Sequence, residues 1–128
     1  SKPSVKILTI DSFTTDKNYS VNTGLVIGST ITGVIVALEC TGANEGFAIG
    51  DIVTAPTPYP SDNGRTSAQG IGVQYNSNPS TVKVMVNDQL TIMTAYNPAS
   101  GAIANNVIFS GSGCANWKIK LYVNYLDA

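Results

Sequence analysis

The chain of 128 residues has seven Lys and Arg against eight Asp and Glu, no His, and only 12% charged residues, about half the usual share. Its few scattered cations argue against a phosphate-binding surface, and its longest apolar run, Val34 to Leu38, is far below the ~20 residues of a membrane helix; neither a nucleic-acid partner nor membrane insertion is expected. The missing His removes the serine triad, the usual zinc sites and the commonest general base at neutral pH.

A chain of this length is expected to form a single domain, 1–128, around one core. Period-2 alternation recurs throughout, and no segment holds an apolar period of 3.6 over three turns. Strands are expected at Val5 to Asp11, Asn18 to Ile27, Thr30 to Thr41 and Phe47 to Thr54. Further strands are expected at Ala68 to Tyr75, Thr81 to Asn87, Gln89 to Tyr96, Val107 to Ser110 and Ala115 to Leu126. In the third strand Val34, Val36, Leu38 and Cys40 share the expected core face, opposite Gly33, Ile35, Ala37 and Glu39. In the last, Trp117, Ile119, Leu121, Val123 and Tyr125 face the core while Lys118, Lys120, Tyr122 and Asn124 face water. Val82, Val84 and Val86 repeat the scheme, and with Leu90 and Ile92 they suggest a hairpin across Asn87-Asp88-Gln89, although that turn lacks the preferred Gly. The fold class expected is an all-β antiparallel sandwich of about eight strands with two long loops.

Those loops run from Ala55 to Ser67 and from Asn97 to Asn106. Pro56, Pro58 and Pro60 stiffen the first into an extended path that excludes a central strand, ahead of a turn at Asn63-Gly64. Tyr59 sits between two of these prolines and near Asp62, Asn63 and Arg65. A flat ring beside a donor and an acceptor suits the C–H face and hydroxyls of a neutral sugar, so Tyr59, Asp62 and Arg65 are candidate ligand-binding residues. Tyr96 and Asn97, opening the second loop, are a second candidate pair. Trp117 lies on an apolar strand face and is expected in the core.

Enzymatic chemistry would rest on a carboxylate pair drawn from Glu39, Glu45, Asp51, Asp62 and Asp88. Glu45 and Asp51, however, flank a Gly-rich turn in which Asp commonly caps backbone amides. No catalytic residue is expected. A calcium site at Asp51 and Asp62 would lack the regular Asp spacing of a calcium loop, so no metal or cofactor is expected either.

Val34-Ile35-Val36-Ala37-Leu38-Glu39-Cys40, then Gly46-Phe47-Ala48-Ile49-Gly50-Asp51 and finally Trp117-Lys118-Ile119-Lys120 form a series that resembles a C-terminal domain family of phage tail-fibre and other virion proteins, with an H-type-lectin-like β-sandwich. The resemblance runs from Tyr19 to Tyr125. It implies a non-enzymatic virion domain for host attachment, made in the host cytoplasm and carried at the tip of a longer fibre. It also implies assembly as a homotrimer with other virion proteins and a host cell-surface carbohydrate as ligand. A head-fibre or capsid-decoration module is the alternative, and a carboxylate-pair glycan hydrolase a more distant one. Ser1-Lys2-Pro3, without an initiating Met, fits a piece of such a fibre. Cys40 and Cys114 would contribute on the order of 4 kcal/mol if bonded across so long a loop. The reducing cytosol in which phage proteins assemble favours two free buried thiols instead.

Overall fold

The structure, a computed structural model, describes residues 2–60, 68–99 and 106–128, except for the side chains of 59, 60, 68, 106 and 108. In chain order its strands are β1 (Pro3–Ile10), β2 (Lys17–Asn22), β3 (Thr30–Cys40), β4 (Ile52–Thr54), β5 (Tyr59–Pro60), β6 (Ala68–Gln69), β7 (Ile71–Gln74), β8 (Thr81–Val86), β9 (Leu90–Met93), β10 (Asn106–Phe109) and β11 (Trp117–Leu126). A 3-10 helix, Gly111–Asn116, leads into β11. The expected all-β antiparallel sandwich is the fold observed.

The alternation in β11 organises one layer. Antiparallel pairing with β1 on one side and β3 on the other, with β4 added to β3, gives the order β1-β11-β3-β4. Trp117, Ile119, Leu121 and Val123 are at most 1% exposed, as one face of a period-2 strand requires. The opposing layer is built on β8, flanked by β2 and β7, whose Val82, Val84 and Val86 complete the same core cluster. Strands β9 and β10 form a separate antiparallel pair, as do β5 and β6. The link from β9 to the second layer is Gly70, whose N–H donates to Gln89 O and whose carbonyl accepts from Asn87 N–H.

Several expectations change in detail. Leu38 and Cys40 are fully buried while Val34 and Val36 only pack against the core, and Ile31 joins the core from the other parity. Ile31 does so because of a register shift between Asn124 and Tyr125: Gly33 faces Asn124 and Ile31 faces Tyr125, so Thr32 is extra and reverses the face of the residues before it. The second strand stops at Asn22, because Thr23 turns inward to bond Pro79 O and Leu25 N–H and Gly24 adopts a positive φ. Gly70, at φ 96°, divides the segment from Ala68 to Gln74 into β6 and β7; a Cβ there would lie 2.4 Å from Thr57 O. Pro60 is accommodated in a two-residue pair, consistent with its exclusion from a central strand.

The expected β8–β9 hairpin does not form. β8 pairs with β2 and β7, and β9 pairs with β10. Lacking the Gly preferred in a two-residue turn, Asn87-Asp88-Gln89 instead crosses between the two groups of strands, held by Gly70 and by a bond from Asn87 Nδ2 to Gln69 O at 2.7 Å.

Cys40 and Cys114 are free and buried. Burial pushes the Cys114 thiol pKa up, against a smaller lowering from a hydrogen bond with the Thr15 backbone.

Trp117 is a core residue, as its strand face implies. Its ring stacks on Phe109 at 5.9 Å with an 8° interplanar angle and meets Phe47 edge-on at 5.2 Å. Its indole nitrogen has no hydrogen-bond partner among the described residues, so packing holds the ring. Trp117→Ala is expected to destabilise the domain by about 3–5 kcal/mol, measured by urea unfolding. A loss below about 1 kcal/mol would show that the ring is not part of the core.

Candidate functional site

Between Cys40 and β4 the chain makes two tight turns. Asn44 and Phe47 exchange backbone hydrogen bonds of 3.1 and 2.8 Å around Glu45 (φ 53°) and Gly46 (φ 86°), the two positive values that a type I′ turn needs. Asp51 N–H then donates to Ala48 O at 3.0 Å while Asp51 Oδ2 accepts from Ala48 N–H at 2.8 Å, with Gly50 at φ 94° between them. This is the amide-capping role expected of Asp51. The consequence is that Phe47 points into the core beside Trp117, and the chain re-emerges as β4 at the edge of the first layer.

A cleft of about 490 Å³ opens between that edge and the segment running out of β9. One wall is Gly46, Phe47 and Asp51 to Thr54; the other is Ile92 to Tyr96. Three side chains at it are well exposed for apolar groups: Ile52 at 48%, Met93 at 59% and Tyr96 at 90%. The only carboxylate among the lining residues is Asp51, already engaged with Ala48. The cleft lies towards the Cys40/Trp117 end of the sheet, away from the end at which Pro3 pairs with Leu126.

Of the residues anticipated from sequence, Tyr96 lines the cleft. Asn97 adjoins it, but its Oδ1 accepts from Ala99 N–H at 2.9 Å, which commits that oxygen to a local turn. Tyr59 is described through its backbone alone, paired with Gln69; its side chain, Asp62, Arg65 and the Asn63-Gly64 turn lie outside the described residues. Phe47, Ile52 and Met93 were missed. The signal was present: Ile52-Val53 and Ile92-Met93 are adjacent apolar pairs on strands, and two neighbours on one strand point to opposite faces.

Among the described residues, no group of three or more His, Cys, Asp or Glu side chains could hold a metal ion. Glu39 lies on the outer face of the sheet between Lys120, at 3.2 Å, and Lys118, at 3.7 Å. Comparison with family models, curated proteins and solved structures finds no match to the chain.

Glu45 is one of two non-glycine residues at positive φ among the described residues, and its Cβ crowds the following carbonyl there without the local hydrogen bond that a shorter Asn or Asp side chain can make. Glu45→Asn is expected to raise stability by about 0.5–1 kcal/mol, because Asn-Gly is the favoured type I′ pair. The gain would be read as a higher melting temperature.

Proposed function

We propose that this domain is a non-enzymatic attachment module of a phage virion that binds a neutral cell-surface glycan in the cleft between β4 and β9. The observation that carries the reading is that the exposed Tyr96 lines, together with Ile52 and Met93, a cleft whose one carboxylate is occupied. Such a site offers a flat apolar surface without a charge to be neutralised, which fits the C–H face of an uncharged sugar. The series from Val34 to Cys40, the Gly46–Asp51 turn and Trp117-Lys118-Ile119-Lys120 support placing the module at a fibre tip in contact with other virion proteins. The engagement of Glu39 with two lysines and of Asp51 with a turn supports a non-catalytic role for both.

Replacing Tyr96 with Ala removes a side chain that buries little, so the melting temperature is expected to stay within about 2 °C of the parent. Adsorption of the purified domain to host cells should fall at least about tenfold, since stacking and apolar contact supply much of a sugar's affinity. Undiminished adsorption would refute the cleft as the attachment site.

The same reading has the domain act as a homotrimer, with avidity compensating for weak single sites. Support comes from the outer face of the β1-β11-β3-β4 sheet, where Val5 and Ile7 of β1 and Ile35 of β3 are each more than half exposed; Ile7 and Ile35 flank Tyr122, and Val5 lies opposite Asn124. Such a face favours burial against copies of itself, and it equally supports the alternative of a capsid-decoration module. Native mass spectrometry is expected to show trimers that the double substitution Ile7→Lys and Ile35→Lys converts to monomers. A parent domain that is monomeric at micromolar concentration would end the trimer proposal. A domain that assembles but never adsorbs to cells would favour decoration over attachment.

A further inference from the structure

Besides Gly46 and Phe47, the walls of the cleft are two consecutive runs, Asp51 to Thr54 on one side and Ile92 to Tyr96 on the other. Side chains on a strand alternate between faces, so an uninterrupted run along a cavity means that the cavity meets the edge of the strand and its backbone. The register of β4 shows which backbone groups those are. Thr54 faces Ala37, Val53 faces Leu38 and Ile52 faces Glu39. Just beyond this ladder, Ala55 N–H donates to Val36 O at 3.2 Å and Cys40 N–H donates to Asp51 O at 2.8 Å. In an antiparallel pair the hydrogen-bonded positions alternate, so Ala55, Val53 and Asp51 direct their groups towards β3, while Ile52 and Thr54 direct theirs away from it. β4 is the last strand of its sheet, and no hydrogen bond to the backbone of Ile52 or Thr54 from another strand occurs among the described residues.

We infer that the N–H and C=O groups of Ile52 and Thr54 form the hydrogen-bonding half of the sugar site, facing the apolar half made by Tyr96 and Met93. This rests on the reading of the cleft as a glycan site and specifies how that site would recognise its ligand. Each of the two residues presents one donor and one acceptor side by side, and a sugar hydroxyl both donates and accepts, so each pair suits a hydroxyl. The pairs are separated by two residues of strand, roughly 7 Å, the reach of a single sugar residue. An incoming polypeptide strand would use the same groups, but β4 has only three residues and offers a short ladder compared with the 5–6 residues of a typical strand. Charge complementarity points the same way. With Asp51 bonded to Ala48 and no cation among the lining residues, the cleft favours an uncharged ligand over a sialic acid or uronic acid.

The distinguishing feature of this arrangement is that recognition would pass through the backbone and survive loss of the side chains on β4. Proline is tolerated on an edge strand where its missing N–H faces outward, so Thr54→Pro deletes one donor without touching the ladder to β3. Amide NMR spectra of the domain would be recorded while titrating the methyl glycosides of N-acetylglucosamine, galactose, glucose and mannose. The expected result is that at least one of them shifts the Ile52 and Thr54 amides together with Tyr96. Thr54→Pro should weaken that binding about tenfold with an unchanged melting curve, whereas Thr54→Ala, which keeps the N–H, should change it less than about threefold. Should Thr54→Pro lower the melting temperature, the titration shifts of the parent and the Thr54→Ala affinity decide. Shifts at Tyr96 and Met93 without shifts at Ile52 and Thr54 would overturn the inference and leave the cleft reading standing. An absence of shifts throughout the cleft with all four glycosides would overturn both. Shifts at Ile52 and Thr54 that depend on protein concentration without sugar would assign this edge to strand pairing between copies, and would also overturn it.

Discussion

The contact between Trp117 and its two phenylalanines is the one on which the site geometry depends. Phe109 belongs to β10 and Phe47 closes the I′ turn before β4, so one indole ring touches the elements that lead to both walls of the cleft. Phe109 is paired with Leu90, the first residue of β9, and the chain runs from there through Met93, where the strand ends, to Tyr96. Phe47 is joined by the Ala48–Asp51 turn to Ile52. Offset and edge-on aromatic contacts have preferred geometries and sit in a close-packed interior, so they transmit position as well as stability. The absence of a hydrogen-bond partner for the indole nitrogen among the described residues leaves shape alone to set that position.

Charge is distributed so that the cleft is nearly free of it. Lys118 and Lys120 converge on Glu39 on the outer sheet face, and Lys120 also lies 5.8 Å from the Tyr122 ring. Partly exposed pairs of this kind contribute at most about 1 kcal/mol each to stability. Their larger effect is on the surface: Glu39 offsets one of the two cations, so the group leaves a single net positive charge on the face that carries Ile7, Tyr122 and Ile35. Among the described residues, the outer sheet face and the cleft thus differ in character: the first carries exposed Val5, Ile7 and Ile35 beside a charged group, and the second has one carboxylate and no cation in its lining.

Much of the fold was legible in the residues alone. Alternation from Trp117 to Val123 marked the buried face of the last strand, although Tyr125, expected on that face, is only half-buried, and the alternating Val82, Val84 and Val86 did the same for β8. The local rule works there because side chains on a strand have a fixed period of two, so a half-buried strand writes its burial directly into the sequence. Asp51 as a turn cap was legible for a similar reason, since its partner Ala48 is three residues away. The free state of the two cysteines was open in the sequence and is settled by where the fold places them.

What the sequence by itself determined, then, is the all-β class, the faces of its long strands and the local turns. Tertiary structure alone decided which strands pair and where the cleft lies. Asn87-Asp88-Gln89 looked like a hairpin turn because its flanking strands are adjacent in sequence, yet Gly70, from a distant segment, claims the backbone of both Asn87 and Gln89. The inward turn of Ile31 depends on an extra residue at Thr32, which is a property of the register with β11 and not of β3 itself. Tyr96 was a candidate from sequence, but its partners Ile52 and Met93 come from strands that do not pair with one another. Their meeting is a non-local event, fixed by the closure of the two layers around Trp117, and no local period or turn signal records it.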